Sequence, residues 1–382
     1  MVNISIEKIK NPIEQQKIEL VERKGIGHPD YICDVCCEAV SRALSQEYVR
    51  RFGTVLHHNV DKGLLVAGKS APKFGSGQVI HPIKLTVAGR ATSRVGNKKI
   101  NVKEIALKAV KKELSRFRYL KEKDVKIIID IKEGAANLQE VFKKGAAVAN
   151  DTSFGVAHYP LSRLEWVVKN VAYLINSRLF LSKFKAVGED IKVLGLRQGN
   201  KIKLTIAIAF VAKYIKSMDK YIEIKQKVLN NIKEFAGKGV EVELNTLDDT
   251  TKDEKSVYLT VTGLSAEHGD DGQVGRGNRQ SGLITPNRPM SLEATAGKNI
   301  NHPGKLYQVM AYEIAKRVGR LKGIKECIVK LSSQIGTPLN KPQIASVAVD
   351  GVNNKIEKIV KSVFKDINKI QKNIVKAGYE MF

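Results

Sequence analysis

Apolar positions in this chain follow two rhythms. From Tyr31 to Phe52 they recur at helical spacing, at Ile32, Val35, Cys36, Ala39, Val40, Ala43, Leu44, Tyr48 and Phe52. Pro29-Asp30 marks the start of this helix, because Pro suits a first turn and Asp can cap it. Helical spacing also covers 102–117, 161–180, 218–235, 305–320 and 354–377. Alternation of period two predicts strands over 17–23, 82–88, 125–131, 240–244, 257–262, 327–331 and 345–349. Two strand pairs are expected, 54–60 with 63–68 about a tight Asp61-Lys62-Gly63 turn, and 191–196 with 202–214 about Gln198-Gly199-Asn200.

Strand pairs with helices between them, recurring about three times, predict a mixed α/β (α+β-like) protein with mostly antiparallel sheets. No apolar run reaches the roughly 18 residues of a membrane span, and Met1 to Lys10 lacks the apolar stretch of a signal peptide. Four cysteines in 382 residues point to a cytoplasmic, disulfide-free protein. Cys33, Cys36 and Cys37 share one helix face, which reads as core packing; with Cys327 far away in sequence they do not make a zinc set.

The net charge of +26 raises a polyanionic partner as one reading. The lysines are spread over the whole chain, and aromatic residues make up only 6%. A nucleic-acid-binding protein would instead show a basic stripe interleaved with aromatics.

The stretch from Gly263 to Gly304 has neither rhythm. It holds glycines 263, 269, 272, 275, 277, 282, 297 and 304, together with apolar Leu283, Ile284, Pro286 and Leu292. A long irregular stretch with apolar content reads as a functional loop. Within it, Gly269-Asp-Asp-Gly-Gln-Val-Gly-Arg-Gly-Asn-Arg279 sets Asp270 and Asp271 beside Arg276 and Arg279 on a glycine-rich frame, and Lys298 and Lys305 follow. Carboxylates hold a hard cation such as Mg²⁺ and guanidinium forks grip phosphate oxygens, so the set suits a metal-bound polyphosphate. Neither G-x-x-x-x-G-K-[ST] nor G-x-G-x-x-G after a strand is present.

These residues, with Gly282-Leu-Ile-Thr-Pro286, Arg288-Pro-Met-Ser-Leu-Glu-Ala294 and Ala296-Gly-Lys-Asn299, closely resemble the signature of archaeal-type methionine adenosyltransferases, the S-adenosylmethionine synthetases. Glu22-Arg-Lys-Gly-Ile-Gly-His-Pro-Asp-Tyr-Ile-Cys-Asp34, His57-His-Asn-Val-Asp-Lys-Gly-Leu64, Gly89-Arg-Ala-Thr92 and Ala149-Asn-Asp-Thr-Ser-Phe-Gly155 resemble further segments of that family, in its order, across roughly Lys17 to Leu331. One segment departs: Gly134-Ala-Ala-Asn-Leu138 stands where the family usually has a Gly-Ser-Val-Asp-Leu-like run associated with nucleotide binding. A degenerate member that binds ATP or polyphosphate without making product therefore stays open.

The resemblance implies a pseudo-threefold fold of three interleaved subdomains, with segments near 24–130, 156–255 with 1–23, and 131–155 with 256–382. It implies that methionine sulfur attacks C5′ of ATP and that the released tripolyphosphate is hydrolysed to phosphate and diphosphate. His28 would donate to the departing oxygen, and Asp30 and Asp271 would hold Mg²⁺. Arg276, Arg279, Lys298 and Lys305 would hold phosphates, with Asp270 on metal or substrate and Asp151 at the methionine end. Glu133, Gly134, Ala135, Ala136, Asn137 and Leu138 would line the nucleotide. Asp61 is equally a hairpin residue. The family also implies a homodimer with active sites at its interface and a K⁺ requirement in many members; the absence of a long apolar run and the acids of the glycine-rich loop argue against a membrane or nucleic-acid partner.

Overall fold

The computed structural model describes residues 2–134 and 148–382. Its large sheets share one plan. In the first, β2 (Ile18–Lys24), β11 (Val187–Gln198) and β12 (Lys201–Val211) are antiparallel neighbours. β13 (Val240–Leu244) and the short β14 (Leu259–Thr260) pair parallel to β12. In the second, β15 (Gly272–Gln273), β3 (His58–Val66) and β6 (Ile83–Ala91) are antiparallel, and β9 (Val125–Lys132) runs parallel to β6. In the third, β10 (Ser153–Tyr159), β16 (Cys327–Ser333) and β17 (Ile344–Val349) are antiparallel, and β1 (Ile4–Lys8) runs parallel to β17. Two small hairpins, β4 (Lys69–Lys73) with β5 (Ser76–His81) and β7 (Arg94–Val95) with β8 (Lys98–Lys99), flank β6 in the chain.

Each sheet packs its apolar face on its own helices. α3 (Arg163–Ile175), α4 (Arg178–Lys183) and α5 (Met218–Ala236) cover the first. α1 (Pro29–Phe52) and α2 (Val102–Leu114) cover the second. α6 (Pro303–Val318), α7 (Ile356–Lys365) and α8 (Ile367–Val375) cover the third. Alternation drives this arrangement: along β12, Ile202, Leu204, Ile206 and Ile208 are buried while Lys203 and Thr205 are less so.

In chain order a single unit repeats: strand, helix, antiparallel pair, helix, then a strand parallel to the second strand of the pair. It appears as β2-α1-β3-β6-α2-β9 and as β10-α3-β11-β12-α5-β13. The third copy, β15-α6-β16-β17-α7, takes its last strand, β1, from the start of the chain. The leading strand of each unit leaves its own sheet: β2 joins β11, β10 joins β16 and β15 joins β3. The three units are therefore laced in a cycle, and residues before 24 serve two sheets.

The antiparallel excess holds, and a parallel edge in every sheet adds to it because a helical crossover returns the chain in the same direction. The expected turn at Asp61-Lys62-Gly63 is instead the middle of one continuous strand, β3, with a bulge between Asn59 and Lys62. Gly63 is small there because a Cβ would come 2.7 Å from Cys37 Sγ on α1. The helix expected over 161–180 breaks where Asn176 ends α3 and Ser177 caps α4. The helix expected over 354–377 breaks at Asp366, and the strand expected over 257–262 shrinks to Leu259–Thr260.

Candidate active site

Gly25 and Gly27, between β2 and α1, dock on β11 through bonds from their N–H groups to the carbonyls of Ile191 (2.7 Å) and Glu189 (3.0 Å). A Cβ on Gly27 would stand 2.4 Å from the Asp190 nitrogen, so only glycine permits this approach. The turn delivers His28, in extended conformation, to the N-cap of α1. Asp30 is not the cap. Pro29 already occupies the first helical turn, and His28 Nδ1 accepts the Asp30 N–H at 3.2 Å. The Asp30 carboxylate turns away to Lys24 Nζ (2.7 Å) and to the Gln273 N–H (2.8 Å).

With Nδ1 accepting, the neutral ring of His28 carries its proton on Nε2. Burial pushes its pKa down to about 4; Lys24 adds to this, Asp30 opposes it, and Lys192 and Arg276 lower it further. Burial alone would raise the Asp30 carboxyl, but the Lys24 and Gln273 hydrogen bonds hold it below the usual range.

His28 opens into a cleft of about 770 Å³ that also takes in Asp190, Lys192, Tyr258 and Asp270. Asp270 Oδ2 lies 3.7 Å from His28 Nε2, too long for a hydrogen bond, and its pKa is raised by burial and by Asp30 and Asp271. Asp190 accepts from the N–H (2.8 Å) and hydroxyl of Ser265, and burial pushes its pKa up to about 7. Asp271 accepts the Ala67 N–H at 2.7 Å, which ties the loop to the end of β3. Arg276 is exposed, and its carbonyl accepts from Lys24 Nζ at 2.7 Å. Arg279 points into the loop and bonds the carbonyls of Gly277, Ser291 (3.1 Å) and Leu292 (2.9 Å), so it acts as a brace.

The loop is held by buried polar groups. The Asn278 amide brackets Lys24 through the Lys24 N–H and carbonyl, each at 2.9 Å. Glu22 and Ile284 exchange backbone hydrogen bonds, and the Arg288 guanidinium lies among Glu165 and Glu326.

Lys298 and Lys305 form a second set, which the 770 Å³ cleft does not include. Lys305 Nζ meets Glu38 Oε2 at 2.7 Å with both side chains buried, and burial lowers the lysine's pKa despite that partner. Lys298 Nζ meets Glu293 at 2.9 Å and Asp61 at 3.6 Å. Asp61 thus belongs to this set and not to a hairpin turn. Glu38 lies eight residues beyond Asp30, about 12 Å along the helix axis. Buried His58 touches Ser41 Oγ (2.9 Å) and Asn299 Nδ2 (3.1 Å), while Ser41 donates to the Lys298 carbonyl (2.9 Å). Asp151 pairs with His302 Nε2 at 3.0 Å. Glu133 accepts from Ser93, and Gly134 lies against the His57 ring, where a Cβ would come within 2.5 Å. Ala135, Ala136, Asn137 and Leu138 lie outside the described residues.

Cys33, Cys36 and Cys37 are buried free thiols with pKa values pushed well up by burial, consistent with packing. Among the described residues, no group of three or more His, Cys, Asp or Glu could by itself hold a metal ion.

Sequence reasoning missed Lys24, Glu38, His58, Asp190, Lys192 and His302. Lys24 and His58 lay inside recognised motifs without a role. Glu189-Asp190, two acids entering a strand of buried alternation, was a readable signal.

Comparison with known proteins follows the same line. The sequence model of the S-adenosylmethionine synthetase (AdoMet synthetase) family matches residues 2–378. An S-adenosylmethionine synthase of Methanothermobacter marburgensis is 44% identical over 100% of both chains. One of Hyperthermus butylicus is 48% identical over 91% of this chain and 89% of its own. Among solved structures, an unusual S-adenosylmethionine synthetase from Campylobacter jejuni shares the fold, with a TM-score of 0.61 at 16% identity over 94% of this chain and 89% of that one.

Proposed function

This chain belongs to the S-adenosylmethionine synthetase family and is a methionine adenosyltransferase, and from that premise we propose how its residues carry out the reaction. Methionine sulfur attacks C5′ of ATP in the cleft beside His28; the S–C5′ bond forms as the C5′–O bond breaks, and the electron pair leaves on the tripolyphosphate. One observation carries this reading. His28 is a neutral imidazole whose Nδ1 is occupied by the Asp30 N–H and whose Nε2–H faces the cleft. That proton donates to the departing oxygen, and the N-terminus of α1 adds its partial positive charge. The histidine binds charge as it develops and forms no covalent intermediate.

Lys192 lines the same cleft, and the charges of Lys24, Lys192 and Arg276 all reach the His28 ring, so these side chains supply cations for the phosphates. Mg²⁺, when bound, neutralises tripolyphosphate charge. Asp270, which lines the cleft 3.7 Å from His28 Nε2, would hold that ion, with Asp30 and Asp271, each already hydrogen-bonded to the protein, as the neighbouring carboxylates. Ions held mainly through phosphate need only one or two protein carboxylates. Asp270 is the better ligand of the adjacent pair, since one Asp271 oxygen is already bonded to Ala67. Water then hydrolyses the tripolyphosphate to phosphate and diphosphate.

The Lys298–Lys305 set and Asp151 complete the site in a homodimer. Supporting this are their separation from the His28 cleft and the exposed Ile18, Leu20 and Leu194 of the first sheet and Leu64 and Val66 of the second. The three laced sheets support three interleaved subdomains. Four free cysteines, and no helix long and apolar enough to cross a membrane among the described residues, favour the cytoplasm.

The test is an end-point assay with ATP, methionine and Mg²⁺, with and without K⁺, quantifying S-adenosylmethionine and phosphate together. Methionine-dependent product from wild type, largely lost in His28→Ala, is the expected result. ATP binding without product would overturn the reading and point to the Gly134-Ala-Ala-Asn-Leu138 departure.

A further inference from the structure

A second cavity, of about 670 Å³, lies behind the turn that carries His28 and is lined by residues the catalytic reading does not use. Its size is within the usual range for small-molecule sites. Four aromatic rings from three segments converge on it: Tyr31 of α1, Phe117 and Tyr119 after α2, and Tyr214 after β12. Tyr119 and Tyr214 pack with ring centroids 5.7 Å apart and make one wall.

The charges sort into two kinds. Arg118 is consumed by Glu189 (2.7 Å) and by backbone carbonyls, and Arg116 pairs with Glu113. Arg178, at the first position of α4, and Lys185 have no carboxylate within salt-bridge distance among the described residues. The cavity therefore offers aromatic faces and two cations that have no carboxylate partner among the described residues, and its acids, Glu113 and Glu189, are paired with Arg116 and Arg118.

The cavity also touches the catalytic turn. Its wall includes Ile26 and Asn176, and Asn176 ends α3. Asn176 Oδ1 accepts the Ile26 N–H at 3.0 Å, and its Nδ2 donates to the Glu189 carbonyl at 3.0 Å. Glu189 accepts in turn from Gly27, the residue before His28.

We propose that this cavity is a second ligand site, separate from the catalytic cleft, for a planar aromatic anion of the nucleoside monophosphate class. The base stacks on the tyrosine and phenylalanine rings, and the phosphate pairs with Arg178 and Lys185. Because the site shares Asn176 with the His28 turn, its occupant bears on the catalytic geometry. The proposal does not depend on which residues perform the transfer.

The experiment is equilibrium dialysis of labelled AMP against the full-length enzyme saturated with S-adenosylmethionine, diphosphate and phosphate, which fill the catalytic cleft. One AMP per chain is expected to remain bound. The double variant Arg178→Gln/Lys185→Gln should weaken that binding roughly tenfold or more, the scale of a lost charge-assisted contact. Its turnover without AMP should stay within about twofold of wild type, so failure here is separable from failure of the catalytic reading. Lys185→Glu, a charge reversal at an exposed position, provides a second variant should the first fold poorly. No retained AMP, AMP fully displaced by the reaction products, or equal binding by wild type and variants would each overturn the proposal.

Discussion

The helices α1 and α6 open on the same dipeptide, His28-Pro29 in one and His302-Pro303 in the other. Both histidines are extended N-caps, and both accept through Nδ1 the N–H of the residue two positions on, Asp30 at 3.2 Å and Gly304 at 3.0 Å. Both therefore present Nε2 outward, and each faces an aspartate from elsewhere in the chain. There the likeness ends. His302 Nε2 meets Asp151 at 3.0 Å, and this contact holds the Asp151 carboxyl below its usual pKa. His28 Nε2 stops 3.7 Å from Asp270, and burial, helped by the charges of Lys24, Lys192 and Arg276, brings its own pKa down to about 4. The shared His-Pro dipeptide makes the same cap, with Nδ1 accepting in both. The charges brought in by other segments decide whether the ring is spent on a carboxylate or left open to a substrate.

Breaking the joint between the two helices should have the largest effect. Glu38 of α1 is the buried partner of Lys305 of α6 and also accepts the Gly297 N–H at 3.1 Å. Glu38→Ala leaves a buried ammonium unpaired and should lower stability by about 3–5 kcal/mol, read by chemical denaturation. Next comes the open histidine. His28→Ala should reduce kcat by about 10²–10³, the usual cost of one transition-state donor, with ATP affinity little changed. A drop of less than tenfold would assign leaving-group stabilisation to the surrounding cations.

The third test concerns protonation. His28 and His58 are held neutral, with pKa values near 4 and near 3 against 6.5 in the unfolded chain. As pH falls below 6.5 the unfolded chain takes up protons that the folded one refuses, so these groups cost stability on acidification. Asp34 and Asp190, with pKa values raised by burial to about 7, work the other way: the folded chain takes up protons first, and stability is regained as pH falls from 7 toward 4. The two slopes offset in the wild type. Asp190→Asn keeps an acceptor for Ser265 but removes one arm, so between pH 7 and 4 it should lose on the order of 3 kcal/mol relative to wild type. Parallel pH profiles of unfolding free energy would contradict this.

The smallest effect belongs to the closed histidine. His302→Ala frees Asp151 and loses a cap, so KM for methionine should rise about tenfold with kcat nearly unchanged, the outcome for a residue that positions a binding group. If His302→Ala instead matches His28→Ala in kcat, the contrast between the two caps fails.

The site was legible where chemistry is written locally. The His28-Pro29-Asp30 turn, the acidic pair at 270–271 and the lysines 298 and 305 were readable as candidates from residue type and order; the structure sets His28 and Asp270 on one cleft and Lys305 against buried Glu38, while Asp271 lies at the surface against the Ala67 N–H. Arg279 was read as a phosphate ligand from the same evidence, yet its fork faces loop carbonyls. A run of glycines and arginines does not reveal which way each side chain turns. Asp190 and Lys192 lie about 80 residues before Asp270 in the chain, and only the docking of Gly25 and Gly27 on β11 brings them to His28.

The sequence by itself determined most of the helices and core strands, their order, the three-beat rhythm of strand pairs and helices, and the Pro-marked start of α1, because periodicity and Pro and Gly stereochemistry act over a few residues. Tertiary structure alone decided three further things: that each unit lends its first strand to the next sheet, that the expected turn at Asp61 is a bulge within one continuous strand, and that one His-Pro cap is open while the other is paired. Those outcomes rest on burial and on charges from distant segments, and neither exists until the sheets close around the helices.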